Sequence, residues 1–180
     1  MPLVAFLMTV AATAACQSDA HTDFARPTPI STQPPAYPSI SPTPATDRDA
    51  VLAVYRELYR AGQRAEYATP AERRVILERV AAQPLLSTML EGIAALRAKG
   101  RVTYGFPSIH SYGLRITGSR ASLHDCQDGR TGGQADDRTG KRLTHGMPGT
   151  HMVAALSKEA DGVWRVVKID QLEEPCSPAT

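Results

Sequence analysis

An α+β domain, with N-terminal helices packed on a curved antiparallel β-sheet, is what this 180-residue sequence predicts from residue 47 onward. Three observations predict it. Three stretches between residues 46 and 100 carry apolar residues at helical spacing, two of them behind clear N-capping residues. From residue 101 onward the apolar stretches are rich in β-branched and aromatic residues and are separated by turn residues. Helices that are apolar on one side only also require a second layer to cover that side.

The elements follow in order. "TDRDAVLAVYRELYRAG" opens with Thr46 placed to cap and Asp49 three residues later, and Val51, Val54, Tyr55, Leu58 and Gly62 then recur on one face. "TPAERRVILERVAAQ" repeats the signal, with Thr69 as cap, Pro70 at the first helical position and Glu72 completing a capping box. "PLLSTMLEGIAALRAKG" places Leu85 or Leu86, Met89, Leu90, Ile93 and Leu96 on one stripe, with Arg97 and Lys99 in the last turn and Gly100 as stop. "RVTYGFPSIHSYGLRI" and "ASLHDC" read as a hairpin closed by the tight turn "TGSR". After a Gly-rich loop, "THMVAAL" and "VWRVVKIDQL" make a second hairpin around "SKEADG". Alternation sets Tyr112, Leu114 and Ile116 on one face with His110, and Ala121 and Leu123 on one face with Asp125.

Ahead of this domain the chain changes character twice. Residues 1–15 form an uncharged apolar run, which Gln17, Ser18 and Asp19 end short of the ~20 residues that a membrane span needs. An apolar core followed by small residues is instead the pattern of a signal peptide. Residues 16–46 hold seven prolines and nine Ser or Thr with few apolar side chains, so they read as a disordered Pro/Ser/Thr-rich linker. The domain occupies residues 47–180.

Composition and cysteine usage narrow the classes further. The net charge of +2 comes from Lys and Arg scattered among Asp and Glu, without the basic stripe that nucleic acid binding demands. Of the three cysteines, Cys16 stands at the end of the apolar run, which leaves Cys126 and Cys176 as an even pair. In an oxidising compartment their default is a disulfide; two free buried thiols, or a reactive thiol at Cys126, are the alternatives. If the bond forms, Cys126 points toward the chain end, and alternation turns Asp125 to the helix-covered face.

"TAAC" ending at Cys16 resembles the lipobox of bacterial lipoproteins, with Thr13 where that motif usually has Leu. The resemblance implies a cut before Cys16, lipid on its sulfur, and attachment to the outer face of the cytoplasmic membrane; the alternative is a secreted protein. Three helices followed by a bent sheet resemble the nuclear transport factor 2-like cone shared by polyketide cyclases, ketosteroid isomerase and many binding-only proteins. "GRVTYGFPSI", "SLHDCQD", "PGTHMVAAL" and "GVWRVVKIDQLEEPC" resemble a group of exported actinobacterial lipoproteins, a likeness that covers roughly residues 48–176.

In the enzymes of that fold an inward carboxylate abstracts a proton beside a carbonyl, because desolvation raises its basicity. Asp125 is the matching residue, with His110 and Tyr112 placed to line the same cavity; its structural alternative is to cap a backbone amide or pair with Arg115. "HGMPGTH" offers His145, Met147 and His151 as an alternative soft-ligand metal set, in a loop that reads more simply as a loop. "GGQADDRTGKR" lacks phosphate-loop spacing and reads as a solvated turn between short strands, and Trp164 reads as a core plug. No cofactor is expected.

Three function classes follow: a non-catalytic cone at the cell envelope that binds a small ligand or an envelope protein, an envelope enzyme of cyclase or isomerase type using Asp125, and a structural subunit of a secretion or conjugation machine. The lack of a complete catalytic constellation and of a true membrane helix favours the first, with a homodimer among the assemblies left open.

Overall fold

The computed structural model of the chain describes residues 46–174 and Cys176. The expected signal peptide, Cys16 and the linker up to residue 45 lie outside the described residues. Within the described residues the order is three helices and then six strands: α1 (Asp47–Tyr67), α2 (Pro70–Leu77), α3 (Leu85–Ala98), β1 (Arg101–Tyr104), β2 (Ser111–Thr117), β3 (Arg120–Gln127), β4 (Gly133–Asp136), β5 (Thr150–Lys158) and β6 (Trp164–Gln171). This is the expected α+β architecture, helices on antiparallel sheet, with the sheet left open rather than closed on itself. None of the described helices is long and apolar enough to cross a membrane.

The caps stand where the sequence places them. Thr46 accepts the Asp49 backbone N–H at the start of α1. Thr69 and Glu72 form a reciprocal capping box on α2, with the Thr69 backbone N–H donating to Glu72 at 2.9 Å. The second helix is shorter than its apolar pattern, because after Leu77 the chain turns to reach the sheet. Val80 and Ala82 exchange backbone hydrogen bonds with Val166 at 2.9 Å each, adding a short parallel bridge to the free edge of β6. That contact satisfies edge groups that would otherwise be open to pairing with another chain.

The main sheet has the order β2-β3-β5-β6, antiparallel throughout, and the helices cover one of its faces. The buried core joins Val51, Tyr55, Leu58 and Ala61 of α1 to Leu123, Ala154, Leu156 and Val166 of the sheet. Each fully buried aliphatic side chain of this kind contributes about 1.5–3 kcal/mol. Trp164 closes one end of the core, and its indole N–H donates to Asp47 at 2.9 Å, an oxygen that also accepts from Lys158.

Two sequence expectations change here. "RVTYGFPSIHSYGLRI" is not one strand: it breaks after Tyr104, and β1 pairs with β4 in a separate two-stranded sheet. The break sits at Gly105, whose φ of +63° and 2.1 Å approach of the Thr131 carbonyl to the position of a Cβ leave room for no other residue. "GGQADDRTGKR" correspondingly contains a strand, Gly133–Asp136, before its solvated turn.

Candidate functional site

The two faces of β3 carry two different polar clusters, and strand alternation separates them. On the helix-covered side lie Ala121, Leu123, Asp125 and Gln127, all buried. On the other lie Ser122, His124 and Cys126.

The inner cluster is built around Asp125, which is fully buried. One carboxylate oxygen accepts the backbone N–H of His110 at 2.7 Å. The other accepts the Tyr55 hydroxyl at 2.9 Å and Gln127 Nε2 at 2.7 Å. Gln127 also donates to the Tyr59 hydroxyl, and the two tyrosine hydroxyls lie 3.1 Å apart. Their rings pack edge to face, with centroids 5.6 Å apart, and fill the space between α1 and the sheet. Burial pushes both phenols up in pKa; at Tyr55 the neighbouring Tyr59 and the Asp125 carboxylate add to the effect. Both phenols therefore stay protonated and act as donors and acceptors in the network.

Chemically this is a closed network. A general base needs an oxygen within hydrogen-bond reach of the substrate proton. Both oxygens of Asp125 are occupied by protein donors, and solvent does not reach the residue. A shallow open groove of about 430 Å³ lies elsewhere, lined by Glu78, Ala82, Leu86, Glu159, Asp161 and Arg165, and contains none of the candidate site residues.

Tyr112 and His110 do not join Asp125 as the alternation predicted. The β2–β3 register slips between Tyr112 and Arg115, and at Gly113 the backbone takes a φ of +61°. This bulge turns Tyr112 to the outer face, opposite His124, while Leu114 still packs against the core. His110 reaches Asp125 through its backbone N–H, the amide-capping arrangement.

The outer cluster consists of Tyr112, His124 and His151. Tyr112 stands directly across from His124, and His151 lies diagonally beyond it on β5, two residues from His124's partner Val153. His151 Nε2 is 2.9 Å from the Tyr112 hydroxyl and 3.0 Å from His124 Nδ1. The three rings lie 5.3–6.0 Å apart. Sequence reasoning singled out Tyr112 and His151 for other sites and passed over His124. Its signal was present in the alternation: His124 is one residue from Asp125 and so faces the opposite side.

His145, Met147 and His151 are not gathered into one set. His145 Nδ1 contacts the Tyr104 hydroxyl at 3.1 Å, Met147 is 70% exposed, and His151 belongs to the outer cluster. Cys126 and Cys176 are joined by a disulfide, with Cα atoms 5.7 Å apart. Cys126 is the cross-strand partner of His151, so the crosslink brings Cys176 to the strand position opposite that histidine.

No family model matches the chain. No curated protein matches it either. Among solved structures, the intermembrane-space region of the chloroplast protein ARC6 superimposes with a TM-score of 0.57 at 13% identity, over 72% of this chain and 98% of that one. That likeness is one of fold. A ketosteroid isomerase-like protein of Shewanella frigidimarina matches with a TM-score of 0.37 at 16% identity, over 68% of this chain and 94% of that one. A de novo designed β-sheet protein matches with a TM-score of 0.33 at 14% identity, over 74% and 95% respectively.

Proposed function

We propose that this chain is a cell-envelope lipoprotein whose α+β domain is a non-catalytic binding module, held away from the membrane on the residue 16–46 linker by lipid on Cys16. The observation that carries the non-catalytic reading is Asp125: the one inward carboxylate of β3 is fully engaged by three protein donors and buried beneath Tyr55. The carboxylate that the sequence offers as a candidate base serves instead to join α1 to the sheet. With the interior so occupied, binding falls to the surface, and the outer face around Tyr112 is its best-built part. The "TAAC" motif and the Pro/Ser/Thr-rich linker support the anchor, and the Cys126–Cys176 pair fits an oxidising compartment. The partner is a small ligand or another envelope protein.

The test has two arms. Metabolic labelling with a palmitate analogue should mark the wild type and not Cys16→Ser, which should appear in the medium; labelling that survives the substitution would remove the anchor. Enolisable carbonyl substrates should show no turnover above background. Turnover lost in Asp125→Asn, with the fold retained, would replace the binding module by an enzyme of cyclase or isomerase type.

A further inference from the structure

The outer cluster brings three metal-ligating atoms together on the side of the sheet away from the helices. His151 Nε2 sits in the middle, 2.9 Å from the Tyr112 hydroxyl oxygen and 3.0 Å from His124 Nδ1. Ligands about 2.0 Å from one ion stand roughly 2.8 Å apart at right angles and roughly 3.3 Å apart at the tetrahedral angle. Both measured spacings fall nearer the right-angled arrangement. From this we infer that Tyr112, His124 and His151 form a surface site for copper(II), with two imidazole nitrogens and one phenolate oxygen as protein ligands and water completing the shell.

Donor chemistry selects the ion. Two imidazoles and an oxygen in a tetragonal arrangement suit copper(II), which also stands highest in divalent affinity for nitrogen and oxygen donors. The carboxylate-rich sets that hold calcium or magnesium are different in kind. The fold positions the ligands with little freedom: the β3–β5 ladder fixes His124 and His151 on one face, and the bulge at Gly113 delivers Tyr112 to them. A Cβ at Gly113 would stand 3.3 Å from the His124 ring, so the bulge and the ring are packed together. Tyr112 is 46% exposed and both imidazoles are half-buried, which leaves room for the ion to enter.

Binding uses both imidazole lone pairs and releases the Tyr112 phenol proton to water. The metal-free cluster is held by hydrogen bonds among the same atoms, which the ion replaces. The disulfide keeps Cys126, the cross-strand partner of His151, from competing as a thiolate ligand. The site involves the outer face alone and stands whether or not Cys16 carries lipid.

The experiment is a titration of the metal-stripped full chain with copper(II), read by calorimetry and electron paramagnetic resonance. One equivalent should bind, with hyperfine structure from two nitrogens and a visible phenolate-to-copper absorption band. His124→Gln and His151→Gln should each weaken binding by about tenfold or more and remove one nitrogen from the spectrum. Tyr112→Phe, at an exposed position, should abolish the absorption band while both nitrogens remain, and His145→Gln should change nothing. Copper binding that is unaffected by the two histidine substitutions, or a wild-type spectrum without nitrogen couplings, would overturn the site. Preference for zinc over copper at the same residues would overturn the ion.

Discussion

The Tyr55 hydroxyl, on the third turn of the first helix, donates to Asp125 of β3 at 2.9 Å across 70 residues of sequence. This bond is the polar centre of an otherwise apolar helix–sheet interface. It shares its acceptor with Gln127, and the His110 backbone N–H takes the other carboxylate oxygen. Removing the acceptor would leave the His110 backbone N–H without its partner and leave the Tyr55 hydroxyl and Gln127 Nε2 with only each other and Tyr59, and a donor so stranded costs its desolvation.

Asp125→Ala should accordingly destabilise the domain by about 3 kcal/mol or more, and Asp125→Asn by about 1–3 kcal/mol, because the amide keeps one acceptor but turns a donor toward the cluster. Tyr55→Phe should cost about 1.5–3 kcal/mol. In a denaturant-unfolding double-mutant cycle, Tyr55→Phe and Asp125→Asn should couple by more than about 0.5 kcal/mol. Strict additivity would mean that the bond contributes nothing.

The disulfide closes a loop with a sequence separation of 50 residues. Chain-entropy reasoning puts its stabilisation at roughly 2–4 kcal/mol, so reduction should lower the melting temperature by about 7–15 °C. Non-reducing peptide mapping of protein isolated without reductant should recover Cys126 linked to Cys176 and no alkylatable thiol at either. Free thiols in quenched samples would refute the crosslink in the cell.

Gly113 and Gly118 both adopt a positive φ, +61° and +58°, but only Gly113 has a neighbour where a Cβ would stand. Alanine at either position should cost about 1–2 kcal/mol for the left-handed backbone. Gly113→Ala should cost more, since its Cβ also presses on the His124 ring, and it should shift the His124 and Tyr112 ring resonances in NMR spectra. Equal costs, with those resonances unmoved, would show that the bulge is not packed against the ring.

Acid should act on the turn between β5 and β6. Asp161 accepts two guanidinium N–H groups of Arg165, at 2.9 and 2.7 Å, and the Val163 backbone N–H. Hydrogen bonding to Arg165 and then to Val163 lowers its carboxyl pKa from the ordinary 3.8 to about 2. A carboxyl with a depressed folded-state pKa stabilises above its unfolded value, so this contribution is present above about pH 4 and is lost as pH falls toward 2. Titration of the Asp161 side chain by NMR should place its midpoint near 2, and Asp161→Asn should flatten the fall in stability between pH 4 and 2. A midpoint at the ordinary value would show that the Arg165 pair is open in solution.

The helix starts, the hairpin turns and the inward set of β3 were legible because each is encoded within a few residues. Thr69 and Glu72 form their capping box from three positions apart, and Gly118 makes its turn whatever the rest of the chain does. Cysteine parity pointed to Cys126 and Cys176 in the same way, and alternation then sent Asp125 inward once Cys126 was committed outward. What sequence alone could not supply was the slip at Gly113. A period-two pattern carried through "SYGLRI" puts Tyr112 on the core side, and only pairing with β3 places the extra residue that reverses it. The break at Gly105 is likewise dictated by the Thr131 carbonyl, which arrives from 26 residues further on. Local sequence thus determined the three helices, the two hairpins of the main sheet and which β3 side chains share a face. Strand register decided the partners, because one bulged residue moves a side chain from one face of the sheet to the other: Tyr55 with Asp125 inside, and Tyr112 with His124 and His151 outside.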